Sequence, residues 1–157
     1  MSINELQEAA EQGDSHAQLS LGYKYDIGES VPQDLAMAAN WYRKAAKQGL
    51  PNAQFNLAEM LRDGVGLSKS SELAIQWYLK AAMQGHAKSQ YNLGIMYAKG
   101  EGVPADNIVA YVWLRLAEDR GTEGATQARE IVGNALGSKL ETAIKLLAEL
   151  QTNIMST

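Results

Sequence analysis

The stretch WYRKAAKQG fills residues 41–49, WYLKAAMQG fills 77–85, and WLRLAEDRG fills 113–121. The interval is 36 residues both times, and the three phrases hold all 3 tryptophans of the chain. Working outward from them at the same shift, Ala17, Ala53 and Ser89 coincide, then Gln18, Gln54 and Gln90, then Leu21, Leu57 and Leu93. Gly22, Ala58 and Gly94 follow, with Tyr25, Leu61 and Tyr97, and then Gly28, Gly64 and Gly100. Asp34, Ser70 and Asp106 share a phase, as do Ala45, Ala81 and Ala117, and Gly49, Gly85 and Gly121. No insertion is needed. A fixed period over so many positions marks a repeat architecture, in which a unit buries its apolar stripe only by stacking on its neighbour.

Each class of position has a physical reading. Leu21 and Tyr25 lie four apart, on one face of a helix. A mid-helix glycine costs ~1 kcal/mol against alanine, so Gly22 and Gly94 imply close approach of a second helix. Gly28, Gly64 and Gly100 suit the left-handed residue that ends a helix. Asp34, Ser70 and Asp106 suit the N-cap of the next one. That second helix presents Ala38, Trp41, Tyr42 and Ala45 at i, i+3, i+4 and i+7. Each unit therefore reads as helix, turn, helix. A buried tryptophan at the shared phase predicts a cost of roughly 3–5 kcal/mol for Trp77→Ala.

The ends depart from the pattern. Ala9, Ala10 and Gly13 sit at the phase of Ala45, Ala46 and Gly49, so 1–14 reads as the second half of a unit. Full units cover 15–50, 51–86 and 87–122. In 123–157 Arg129, Glu130 and Gly133 replace the expected Leu, Gly and Tyr, so this segment reads as a pair of capping helices. Its last helix is expected from Ser138, with Glu141 completing a capping box and Leu140, Ile144 and Leu147 as the apolar stripe. The sum is nine helices, no strand, and one all-α domain, an α-solenoid of stacked helix-turn-helix units.

Composition narrows the function classes. Net charge is −4, against the basic footprint that nucleic-acid binding needs and against attraction to anionic membranes. There is no cysteine, hence no disulfide, thiol nucleophile or Cys-type zinc site. No apolar run approaches ~18 residues. The opening MSINELQEAAEQGD lacks the basic and apolar regions of a secretory signal, which points to the cytoplasm if Met1 is the natural start.

The unit SQYNLGIMYAKGEGVPAD at 89–106, together with WYRKAAKQG, resembles the Sel-1-like repeat, a cousin of the tetratricopeptide repeat. Three tandem copies carry the resemblance. Unit two departs from it at Leu61 and at GLSKS, where the pattern has tyrosine and GVPxD. The resemblance implies a right-handed superhelix used as an adaptor in macromolecular complexes, mostly in bacteria, with no shared catalytic residues.

The rest of the sequence offers little catalytic chemistry. GVGLSK at 64–69 and GEGVPA at 100–105 lack the third glycine of a dinucleotide loop and follow no strand. No S-x-x-K, G-x-S-x-G, H-E-x-x-H or Walker A pattern is present. His16 and His86 occupy different phases and read as surface histidines. Met60 and Met96 read as packing filler. No catalytic residue, cofactor or metal site is expected.

By the tetratricopeptide analogy, the first helix of each unit lines the concave surface. The residues it offers are His16, Leu19, Tyr23, Asp26 and Ile27 in unit one. Unit two offers Asn52, Phe55, Glu59, Arg62 and Asp63, and unit three Lys88, Tyr91, Ile95, Ala98 and Lys99. Aromatics mixed with both charge signs suit a peptide or a partner helix. Leu19, Phe55 and Tyr91 read equally as core, while Tyr23, Glu59, Arg62 and Lys99 are positions that packing does not demand. Asn56 and Asn92 lack the accompanying lysine of a carboxylate clamp and read as hydrogen-bonders between units.

The expected function is a non-enzymatic scaffold that binds a protein or peptide, with neither nucleic acid nor membrane as partner. Two alternatives stand beside it. Relatives proposed to act on cell-wall or β-lactam compounds suggest a hydrolase, which the absence of a nucleophile motif disfavours. Ala143, Leu146 and Leu150 beside the last helix's stripe suggest a weak homo-oligomer.

Overall fold

The computed structural model describes residues 1–155, so 156 and 157 of the expected cap lie outside the described residues. The described chain is helical throughout: α1 Ile3–Glu11, α2 Ser15–Ile27, α3 Leu35–Lys47, α4 Pro51–Asp63, α5 Ser71–Met83, α6 Ala87–Lys99, α7 Asn107–Asp119, α8 Ala125–Leu136 and α9 Leu140–Met155. A 3-10 turn, Gly137–Lys139, precedes α9. There is no strand among the described residues. The fold class is all-α, a solenoid of 36-residue helix-turn-helix repeats. The chain forms two compact bodies, residues 1–80 and 81–157.

The helix ends follow the side chains that the sequence places there. Asp34 Oδ1 accepts from Met37 N at 2.9 Å, Ser70 Oγ from Leu73 N at 3.2 Å, and Asp106 Oδ1 from Ile108 and Val109 N at 2.9 and 3.1 Å. Each satisfies backbone donors that a helix start leaves unpaired. Gly28, Gly64 and Gly100 close α2, α4 and α6 in the left-handed region, at φ 75, 71 and 71°.

Body 1–80 opens on a cluster of Leu6, Ala10, Ala17, Leu21 and Trp41, with Ile3, Ala9, Tyr25 and Met37 packed against it. Thus α1 supplies the surface that an earlier second helix would supply. Leu21 and Leu57 are fully buried, each contributing about 2 kcal/mol by removal from water. The mid-helix glycine has the expected cause: a Cβ on Gly22 would lie 2.6 Å from the Tyr42 ring. Gln18 and Gln54, both buried, each donate Nε2 to the carbonyl eight residues earlier, Ala10 O at 3.1 Å and Ala46 O at 3.2 Å.

Body 81–157 repeats the device, with Gln90 donating to Ala82 O at 3.1 Å. A Cβ on Gly94 would meet Leu114 Cγ at 2.5 Å. Its core joins Ala110, Tyr111, Leu114, Val132, Leu136 and Ala143.

Two expectations give way. The three tryptophans are not equivalent: Trp41 and Trp113 are buried at 6% and 5% exposure, whereas Trp77 is only half-buried. The invariant buried position is the next one, Tyr42, Tyr78 and Leu114, each at most 1% exposed. In the C-terminal segment, α9 starts at Leu140 rather than Ser138, after the 3-10 turn. Its buried stripe runs through Ala143 and Leu147, and Ile144 stands 50% exposed. A step of one residue turns a side chain about 100° around the helix, which carries Ile144 off the stripe that Ala143 occupies.

Candidate interaction surface

The residues named as candidates lie on the first helix of each unit, and each body is taken by itself. In body 1–80, α2 presents His16, Leu19, Tyr23, Asp26 and Ile27 on one face. Tyr23 and Ile27, one turn apart, are 52% and 51% exposed. Asp26 is half-buried and accepts from the Tyr42 hydroxyl at 3.1 Å. Burial, and then the Asp26 carboxylate, hold the Tyr42 phenol well above its ordinary pKa. Tyr42 of α3 thus holds the Asp26 carboxylate of α2 in place.

On α4, Asn52 is exposed and Phe55 half-buried, its ring centroid 6.0 Å from that of Tyr78. Glu59 accepts from the Tyr78 hydroxyl and pairs with Arg62 at 3.0 Å. Arg62 also meets Asp63 at 2.9 Å. The Asp63 hydrogen bond raises the Arg62 pKa, and Arg62 in turn lowers that of Asp63. Glu59 and Arg62 are therefore part of an internal network, although packing does not demand them.

In body 81–157, Lys88 and Lys99 of α6 are exposed. Tyr91, Ile95 and Ala98 are partly buried against the Ala110–Leu114–Val132 core. His86, read from the sequence as a surface histidine, instead caps α6. Its Nδ1 accepts from Ser89 N at 3.2 Å and lies 2.9 Å from Ser89 Oγ. Burial, and then the charge of Lys88, lower its pKa.

Sequence reasoning named the acids and missed the tyrosines that orient them. A signal was present. Where the second helix carries Tyr42 or Tyr78, the first carries Asp26 or Glu59. Where Leu114 stands at that phase, the first helix has Ile95 and Ala98. A buried phenol needs an acceptor, and leucine does not.

Among the described residues, no three His, Asp or Glu side chains are grouped as a metal site requires. No described helix is long and apolar enough to cross a membrane. The Sel1 repeat family model matches residues 15–50, 51–86 and 87–122. The chain belongs to the Sel1 repeat family. Repeats of this family are in general protein-interaction scaffolds, and their fold is typically non-catalytic. Among solved structures, this Sel1 repeat chain is 38% identical to a Sel1 repeat protein from Oxalobacter formigenes. That match has a TM-score of 0.74 over 76% of this chain and 49% of that one. It is 32% identical to a protective antigen present in uropathogenic Escherichia coli strains and displaying an SLR fold. There the TM-score is 0.79 over 99% of this chain and 33% of the other. The chain thus spans half or less of the length of both. Among curated proteins no match is found.

Proposed function

We propose that the protein is a non-enzymatic adaptor that takes a peptide or protein surface on the first-helix faces of its repeats. In the tetratricopeptide analogy these faces are concave. The observation that carries the reading is the exposed Tyr23–Ile27 pair on α2, since large apolar side chains grouped in the open are what a partner covers. The family's general use as an interaction scaffold supports it. In body 81–157, exposed Lys88 and Lys99 flank half-buried Tyr91 and Ile95. The test is capture from a native lysate by the wild type and by Tyr23→Ala/Ile27→Ala and Lys99→Glu variants, all with unchanged helicity. A protein captured by the wild type and lost by a variant supports the reading. Equal capture by every variant moves the interface to another face.

A homo-oligomer is the second reading. It is favoured by Ile131 on α8 and by Ile144 and Leu146 on α9, at 65%, 50% and 39% exposure. Sedimentation as a 17.1 kDa monomer at every concentration removes it.

A further inference from the structure

We propose that the α2–α4 face of body 1–80 selects a partner segment bearing an arginine or lysine, seated against the Asp26 carboxylate and the Tyr23 ring with an aliphatic neighbour on Ile27. The inference rests on the reading of this face as a docking surface and adds the chemistry of its occupant.

The charge on the face is unbalanced. Asp26, Glu59 and Asp63 contribute three negative charges, against Arg62 and the Lys69 ammonium that acts on Asp63, leaving one negative. Arg62 is engaged by both Glu59 and Asp63, at 3.0 and 2.9 Å. Lys24 is engaged by Glu29 at 3.4 Å. Among the described residues no cation pairs with Asp26, whose carboxylate takes its hydrogen bond from the neutral Tyr42 phenol. That bond fixes the carboxylate while leaving it half-open to solvent.

Tyr23 lies one turn before Asp26 and is half exposed. A carboxylate beside an accessible aromatic face is a setting for a guanidinium or ammonium, by a charge-assisted hydrogen bond on one side and a cation–π contact on the other. Ile27 continues the same strip for the residue next to the cation. The corresponding α6 positions are Ile95, Ala98 and Lys99, which hold no acid, so the preference belongs to body 1–80.

The test is selection of random dodecapeptides displayed on phage against the full 157-residue chain, followed by amide chemical-shift mapping of the selected peptides. The expected result is enrichment of Arg or Lys beside an aliphatic residue, with shifts at Tyr23, Asp26 and Ile27. Replacing the basic residue by glutamine should weaken binding about tenfold, the scale of one charge-assisted contact, and added salt should weaken it further. Asp26→Asn, which keeps an acceptor for Tyr42, should remove the preference for Arg over Gln, and Tyr23→Ala should weaken every selected peptide. Selected peptides that map to this face without basic enrichment, or that keep it against Asp26→Asn, overturn this inference and leave the docking reading standing. Selection of nothing by the wild type, or mapping only to other faces, overturns both.

Discussion

At the scale of the residue, this repeat works through positions where one atom decides. Ser30 shares a phase with Gly66 and Gly102, and all three lie in the left-handed region at φ 66, 72 and 74°. Among the described residues Ser30 is the one non-glycine there. A side chain in that region costs roughly 1–2 kcal/mol that glycine avoids, partly offset by the greater entropy glycine loses on folding. Ser30→Gly should raise stability by about 0.5–1 kcal/mol, seen as a higher urea midpoint with unchanged slope. The tryptophans give a comparison in the other direction. Trp41 and Trp77 each carry a lysine Nζ over the ring, Lys44 at 4.1 Å and Lys80 at 4.7 Å, but Trp41 is buried among Leu6, Ala10, Ala17 and Leu21 whereas Trp77 is only half-buried. Trp41→Ala should cost about 3–5 kcal/mol and Trp77→Ala clearly less, as parallel denaturation curves will read. Equal losses would mean that exposure is a poor guide at this phase.

At the scale of the element, helix termini couple the fold to pH. The α6 cap requires a neutral His86, because Nδ1 accepts from Ser89 N and approaches the fully buried Ser89 Oγ. Burial, and then the charge of Lys88, lower the folded pKa below the ordinary imidazole value of about 6.5. The folded state then binds fewer protons than the unfolded chain just below that value. The cap's contribution is therefore complete above about pH 6.5 and is lost as pH falls through the lowered folded pKa. Urea midpoints should decline between pH 7.5 and 5.5 in the wild type. His86→Asn should flatten the decline, since asparagine caps helices without titrating there. A slope that persists in His86→Asn and disappears in His16→Asn would assign the effect to the wrong histidine. The cap also shows where sequence reading falls short. Asp34, Ser70 and Asp106 were legible because their side chains act within one turn. A histidine cap is an uncommon choice, and its neutrality depends on burial that no local pattern records.

At the scale of the whole molecule, the fold was legible because a 36-residue period repeats one packing solution, and every aligned leucine or glycine restates it. The interaction surface was less legible. Exposure of Tyr23, orientation of Asp26 by Tyr42 and engagement of Arg62 by two acids all depend on pairings between helices. In α9, Ala143 and Ile144 exchange the roles that the sequence suggests. The junction between α7 and α8 departs from the repeat in its chemistry. At the phases of Ala10, Ala46 and Ala82 stands Glu118, and at those of Leu21, Leu57 and Leu93 stands Arg129. The two replacements meet: Arg129 Nε and Nη2 donate to Glu118 at 2.7 and 3.2 Å, with Arg115 adding a bond at 2.7 Å. The Arg129 bond pushes the Glu118 pKa down to about 2. Its stabilisation is present above about pH 4.5 and is lost as pH falls from there towards 2. The side chains are 16% and 20% exposed, so either one left alone loses strong hydrogen bonds in a partly dry site. Glu118→Ala and Arg129→Leu should each cost about 1–3 kcal/mol at pH 7. The double variant restores the alanine and leucine of the earlier junctions. It should lie within about 1 kcal/mol of the wild type, because an apolar contact can replace an ion pair that its removal by halves cannot. Additive losses in the double-mutant cycle would instead mean that the two residues act separately, and that the ion pair is not what took the place of the repeated leucine–alanine contact.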